Sequence, residues 1–196
     1  MADSLQQRRE PLRGGALVLL TIAVSFSTFM EILDLTIVNV SIPHIAGSLA
    51  VSPNEGTWAI SSYSLASAIM QPLTGWLAKR FGEVRTFATS VALFVVFSTL
   101  CGLSVSFPML VVCRLLQGAV SGPMVPLSQT LLLNNYPETK KGLALAFWAM
   151  TVVIAPIVGP ILGGWLTDTF SWRWIFLINI PVGMMAAFLV ATLLSG

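Results

Sequence analysis

Residues 16–42 read ALVLLTIAVSFSTFMEILDLTIVNVSI, an apolar run interrupted in its second half by two carboxylates, Glu31 and Asp34. About 20 apolar residues in a helix cross the hydrocarbon core of a bilayer, so this run is long enough to span. Arg8, Arg9 and Arg13 precede it, as basic residues precede a secretory signal. The run is too long for a signal core, and the acids within it point to a helix that stays in the membrane.

The remainder of the chain has the same character. Of its 196 residues, 56% are hydrophobic and 9% charged, with a mean hydropathy of +0.86. An ordinary soluble domain carries about 25% charged residues, and disordered segments have too little apolar surface to bury; both classes are excluded. Six spans of about 20 residues would use about 120 and leave about 76 for a tail and five short connections. The expected fold is therefore an all-α integral membrane bundle of six transmembrane helices.

Helix-start and helix-stop residues place these spans at 16–42, 53–78, 86–105, 108–133, 142–166 and 174–194. Ser52, Pro53 and Glu55 supply an N-cap hydroxyl, a proline at the first helical position and a carboxylate two residues further, a combination that starts a helix. With no linker between spans, the chain divides into a tail, 1–15, and one bundle, 16–196. Cys101 and Cys113 lie in apolar runs without metal-ligand spacing and read as small core residues. Their similar depth in neighbouring helices leaves a disulfide geometrically open.

Charge sets the expected orientation. A net charge of +2 gives no field suited to nucleic acid. The basic residues are nonetheless unevenly placed: Arg8, Arg9 and Arg13 in the tail, Lys79, Arg80 and Arg85 after the second span, and Lys140 and Lys141 after the fourth, against Arg173 alone in the opposite connections. Basic connections stay on the cytoplasmic side, so both ends of the chain are expected there. Trp58, Trp165, Trp172 and Trp174 fall near the outer span ends and Trp76 near an inner end, as interfacial belts require.

Three ionisable residues stand at membrane depth: Glu31, Asp34 and Arg114. Each costs about 2.5–3.5 kcal/mol at a helix centre even on the lower scales, which calls for pairing or function. At about 100° per residue, Ser27, Glu31, Asp34 and Ser41 share one face of the first helix, and Arg114, Gln117, Ser121 and Ser128 share one face of the fourth. Asp34 and Arg114 lie at comparable depth, so the two faces are expected to meet. Such a pair either orders the bundle statically or is a proton-exchanging carboxylate tuned by an arginine.

Small residues mark close helix contacts. Gly118 and Gly122 on the fourth helix, and Gly159 and Gly163 on the fifth, have the spacing that lets backbones approach in lipid. Pro156 and Pro160 on the fifth helix each remove an internal hydrogen bond and invite a kink, either a moving interface or a fixed packing bend. No GxxxxGK[ST] run is present for nucleotide phosphates. The lone histidine, His44, has no ligand-spaced partner and reads as a solvated loop residue. No enzymatic activity is expected.

Several stretches resemble drug:proton antiporters of the major facilitator superfamily. LDLTIVNVSIP (33–43) is similar to their first-helix motif, CRLLQG (113–118) to the fourth-helix arginine motif, and APIVGPILGG (155–164) to the fifth-helix antiporter motif. With LLLNNYP (131–137) and WRWIFLINIPVG (172–183), the resemblance is to EmrB-type multidrug efflux permeases of the fourteen-helix branch. The loop GWLAKRFGEVR (75–85), with Gly75, Lys79, Arg80, Gly82 and Arg85, resembles the superfamily's cytoplasmic gating loop but has Lys79 where an aspartate is usual.

The resemblance implies export of amphiphilic drugs in exchange for protons, with the proton as coupling ion and no cofactor. Asp34 is then the coupling carboxylate, Arg114 tunes it and Glu31 is secondary, being outside the shared motif. Ser27, Asn39, Gln71, Gln117 and Ser121 become candidates for the substrate cavity. Because the family has about twice as many spans, the chain reads as an N-terminal half whose C-terminal half is absent. It is expected to insert in a bacterial inner membrane without transporting alone, its polar stripes turned to lipid or to a second chain. A periplasmic adaptor and outer-membrane channel are implied partners in Gram-negative cells. An uptake symporter or metabolite carrier of the same fold, or a non-transporting scaffold, are the rival readings.

Overall fold

The computed structural model describes residues 14–194; the tail arginines and most of the predicted tail lie outside them. The described chain is helical throughout. Helix α1 (Gly15–Ser48) forms the first span, and α2 (Pro53–Gly56), α3 (Trp58–Met70) and α4 (Thr74–Phe81) follow one another along the second. The third span is α5 (Glu83–Gly102), and the fourth is α6 (Phe107–Ser121) with α7 (Met124–Asn135). After a short 3₁₀ turn, Glu138–Lys140, α8 (Lys141–Thr169) makes the fifth span, and α9 (Trp174–Leu177) with α10 (Asn179–Leu194) the sixth.

Five of these spans are long and apolar enough to cross a membrane. The second differs from the uninterrupted helix expected at 53–78. Pro72 cannot donate an N–H, and the backbone tightens there, with Leu73 N–H bonding to Met70 O at 3.1 Å and Thr74 N–H to Gln71 O at 3.1 Å. The fourth span is also interrupted, at Gly122–Pro123, between α6 and α7. In α8, by contrast, the helix runs unbroken through Pro156 and Pro160. The start expected at Ser52 is present: Glu55 N–H donates to Ser52 Oγ at 3.3 Å, and Ser52 N–H donates to Glu55 Oε2 at 2.8 Å.

Lipid tails are as apolar as the side chains packed between helices, so van der Waals fit and buried polar bonds hold such bundles together. The fit is closest at glycines. A Cβ on Gly118 would overlap the Tyr63 carbonyl, one on Gly122 would stand 2.9 Å from Ser67 O, and those on Gly159 and Gly163 would press into Thr36 and Ile37. These contacts seat α6 on α3 and α8 on α1. Gly183 does the same for α10, where a Cβ would overlap Val95 of α5.

The apolar core has two parts. One gathers Leu20, Val24, Met30, Phe87, Phe94, Met124 and Leu131, the other Ile37, Ile45, Ala59, Leu110, Ile175 and Phe176. Along α1, Asp34 lies between Met30 and Ile37, at the boundary of the two. The basic connections share one end of the bundle, where Asn134 Nδ2 donates to Glu83 Oε2 at 2.9 Å.

At the other end Arg173 is bonded to backbone: its Nη1 donates to Gly102 O at 2.9 Å and to Ser104 O at 2.7 Å. It thereby satisfies carbonyls at the close of α5, where a cation also suits the helix dipole. Two expectations at this end are corrected. His44 is exposed as expected but is within α1 rather than a loop, since the helix continues past Pro43, and its Nε2 lies 3.4 Å from Asp168 Oδ1 on α8. Trp172, read as a belt residue, is buried against Phe176, while Trp58, Trp76, Trp165 and Trp174 are exposed.

Candidate functional site

At the boundary between the two apolar clusters lies a polar network built by five spans. Asp34 and Arg114 are both fully buried, and Arg114 Nη1 donates to Asp34 Oδ2 in a salt bridge. The meeting of the two polar faces is thus present. Arg114 also donates from Nε to Ala59 O at 2.9 Å and from Nη1 to Gln117 Oε1 at 2.9 Å. Its guanidinium stacks 4.2 Å from the Tyr63 ring centroid and 5.7 Å from that of Phe176.

The other carboxylate oxygen has its own donors. Asn179 Nδ2 donates to Asp34 Oδ1 at 3.1 Å and to Ser98 Oγ at 2.9 Å, while Ser98 Oγ donates to Phe176 O at 2.8 Å. Gln117 Nε2 approaches the same Oδ1 at 3.4 Å. A buried ion pair is tolerable only when its remaining lone pairs and protons are also met, and here most are. The exception on the arginine is Nη2, which has no partner.

Glu31 lies one turn from Asp34 on α1 and is 5% exposed, with Oε2 unpartnered. The Tyr63 hydroxyl is likewise buried without a partner. Cys101 and Cys113 are both free, and Cys101 Sγ donates to Gln117 Oε1 at 3.5 Å.

The candidates for a substrate cavity separate into two groups. Ser27, Gln117 and Ser121 are fully buried inside the bundle, whereas Asn39 and Gln71 are on its surface. The polar stripes of the first and fourth helices therefore do not face outward as expected; Ser27, Asp34, Ser41, Arg114, Gln117, Ser121 and Ser128 are covered by neighbouring spans. A helical wheel gives the residues that share a face, and α10 and α3 supply the cover. Gly75, Lys79, Arg80, Gly82 and Arg85 form the junction of α4 and α5, where Gly82 has a φ of +89° that favours glycine.

Reasoning from sequence missed Asn179 and Ser98. Asn179 lies two residues before Pro181, in the stretch where the sixth span changes from α9 to α10; a polar side chain at such a break in membrane was the available signal. A second polar knot was also missed: Trp148 Nε1 donates to Ser128 Oγ at 2.9 Å and to Thr28 Oγ1 at 3.2 Å, joining α8, α7 and α1.

This arrangement, a charged pair sealed between packed helices long and apolar enough to cross a membrane, defines a polytopic helical membrane protein. The family model described as Major Facilitator Superfamily matches residues 24–196, and the chain belongs to that superfamily. It is 61% identical over 174 residues to the multidrug export protein EmrB of Haemophilus influenzae, covering 89% of this chain and 34% of that protein. It is 52% identical over 179 residues to the fatty acid resistance protein FarB of Neisseria gonorrhoeae, covering 91% of this chain and 35% of that protein. The chain thus spans about a third of the length of these relatives. Among solved structures, the proton:xylose symporter XylE matches with a TM-score of 0.78 at 14% identity, over 90% of this chain and 44% of that one; this likeness concerns the fold.

Proposed function

We propose that the chain is the N-terminal six-helix half of a proton-driven multidrug exporter, with Asp34 as the proton-exchanging group. The observation that carries this reading is the sealed pair: Asp34 is 0% exposed, and its carboxyl oxygens are met by Arg114, Asn179 and Gln117. Protonating Asp34 removes the counter-charge of a buried guanidinium, and an uncompensated buried charge is strongly unfavourable. Proton uptake is therefore tied to a change in how α1 sits against α6 and α10. Glu31, one turn away with an unpartnered oxygen, has a secondary part.

The relatives named for multidrug export and fatty acid resistance support amphiphilic cargo. Asn39, Gln71 and the exposed α8 stripe of Val153, Ile157 and Ile161 supply one wall of a site completed by a second half, since sites of this class lie between repeats near mid-membrane. Five described basic residues at one end against Arg173 at the other favour a cytoplasmic position for that end, in a bacterial inner membrane. A periplasmic adaptor and an outer-membrane channel are proposed partners. An uptake symporter is disfavoured because the relatives at 61% and 52% identity are named for multidrug export and fatty acid resistance.

The test is drug susceptibility together with proton-coupled export in the full-length protein. Asp34→Asn abolishes export while membrane insertion is retained, and Glu31→Gln reduces it less. Normal export by Asp34→Asn would return Asp34 and Arg114 to a purely structural role.

A further inference from the structure

A groove on the outside of the bundle has no part in proton exchange. It lies at the basic end between α4, α5 and α6 and encloses about 560 Å³, within the range of about 300–1,000 Å³ of small-molecule sites. Leu77, Leu93 and Val120 form its apolar wall, Thr89 and Ser90 stand midway, and Arg80 and Arg85 close one end. Helix α5 orders these groups by depth. Arg85, Thr89 and Leu93 follow at successive turns on one face, and at about 1.5 Å per residue they cover about 12 Å. This fits within one leaflet of a hydrocarbon core about 30 Å thick.

The charged end is at headgroup level. Arg80 is 5.9 Å from the Phe81 ring centroid, and Phe81 packs edge-on against Trp76; both aromatics are exposed, as in an interfacial belt. Neither Arg80 nor Arg85 has a salt-bridge partner among the described residues. Lys79 adds no acid, and Glu83 lines a separate cavity and accepts from Asn134.

We propose that this groove binds one anionic glycerophospholipid, its phosphate held by Arg80 and Arg85 and an acyl chain laid along Leu77, Leu93 and Val120. Charge complementarity selects this occupant. A guanidinium pair matches phosphate oxygens geometrically, and a basic pocket between helices at a membrane surface is the chemistry that selects acidic headgroups. A docked apolar helix would fill the deep part and leave both arginines without a counter-charge. The inference rests on the chain spanning a membrane, not on what it exports.

The experiment is native mass spectrometry of the detergent-purified full-length protein with equimolar dioleoylphosphatidylglycerol and dioleoylphosphatidylcholine. Phosphatidylglycerol is expected to be retained about tenfold over phosphatidylcholine. Arg80→Gln with Arg85→Gln brings the ratio close to one. Lys79→Gln with Lys140→Gln removes equal charge at the same end outside the groove and leaves the ratio unchanged. Thr89→Trp, at an exposed position, fills the groove with both arginines intact and lowers retention of phosphatidylglycerol. Equal retention of the two lipids by the unmodified protein, or a loss from the lysine pair as large as from the arginine pair, would overturn the proposal and leave only general surface attraction.

Discussion

Asn179 on α10 donates to Asp34 on α1 at 3.1 Å, on the carboxylate oxygen that Arg114 leaves free. The two oxygens of Asp34 are thus assigned to different spans. Arg114 of the fourth neutralises one and Asn179 of the sixth holds the other, with Gln117 beside it. Asn179 in turn is anchored by Ser98 of the third, so the orientation of the carboxylate depends on α5 and α10 as well as on the arginine.

Replacing Asn179 by leucine, similar in size, removes the donor to Asp34 Oδ1 and to Ser98 Oγ. Leaving these two groups short of a partner should cost about 1–3 kcal/mol of stability, read as a lower melting temperature in detergent with membrane insertion retained. A melting temperature equal to that of the unmodified protein would reduce Asn179 to a packing residue.

Arg114→Met leaves Asp34 buried without its counter-charge, a situation that costs about 3–5 kcal/mol. Adding Asp34→Asn to that variant should restore much of the loss, because neither charge then remains. Thermal unfolding in detergent of the two single variants and the double variant measures this coupling. Arg114→Lys is expected to rescue poorly, since an ammonium lacks the planar fork that bonds Ala59 O and stacks on Tyr63.

Gly118→Ala should destabilise the bundle by about 1–3 kcal/mol, the usual cost of overpacking, because the added methyl meets backbone of Tyr63 rather than a side chain able to move aside. Gly164→Ala is the matched control on α8, with open space around the new Cβ. Equal melting temperatures for the two variants would show that α3 and α6 can separate without loss.

Cysteine labelling in whole cells tests the orientation. Single cysteines at Lys79 and Lys140 should be protected from an impermeant reagent, and one at Ser171 should react. The buried Trp172 is unsuitable as an outer reporter. Reaction at Lys79 would invert the topology.

The six spans and the Asp34–Arg114 pair were legible because each rests on a large energy: hydrocarbon excludes unbonded backbone, and a charge at membrane depth demands a partner. Asn179 was not, since a neutral amide demands no counter-charge, and its one signal was its place at the break between α9 and α10. The outward placement of the stripes failed for another reason. Periodicity shows that Asp34 and Ser41 share a face, but the choice of α10 and α3 as the covering helices depends on how Gly183 and Gly118 let those backbones close in. Pro72, passed over in reading 53–78 as one helix, interrupts the second span, whereas Pro156 and Pro160, read as inviting a kink, are carried within α8 without interruption.

Among the described residues, the guanidinium that neutralises Asp34 and the amides that bond it all belong to one six-helix unit. A compound resting against the outside of that unit has no need to touch the carboxylate; favouring one seating of α1 against its neighbours is enough. Under the function proposed above, chemically unrelated cargoes would then drive the same proton step, because they would have in common a wall they lean on and no particular atom they bind.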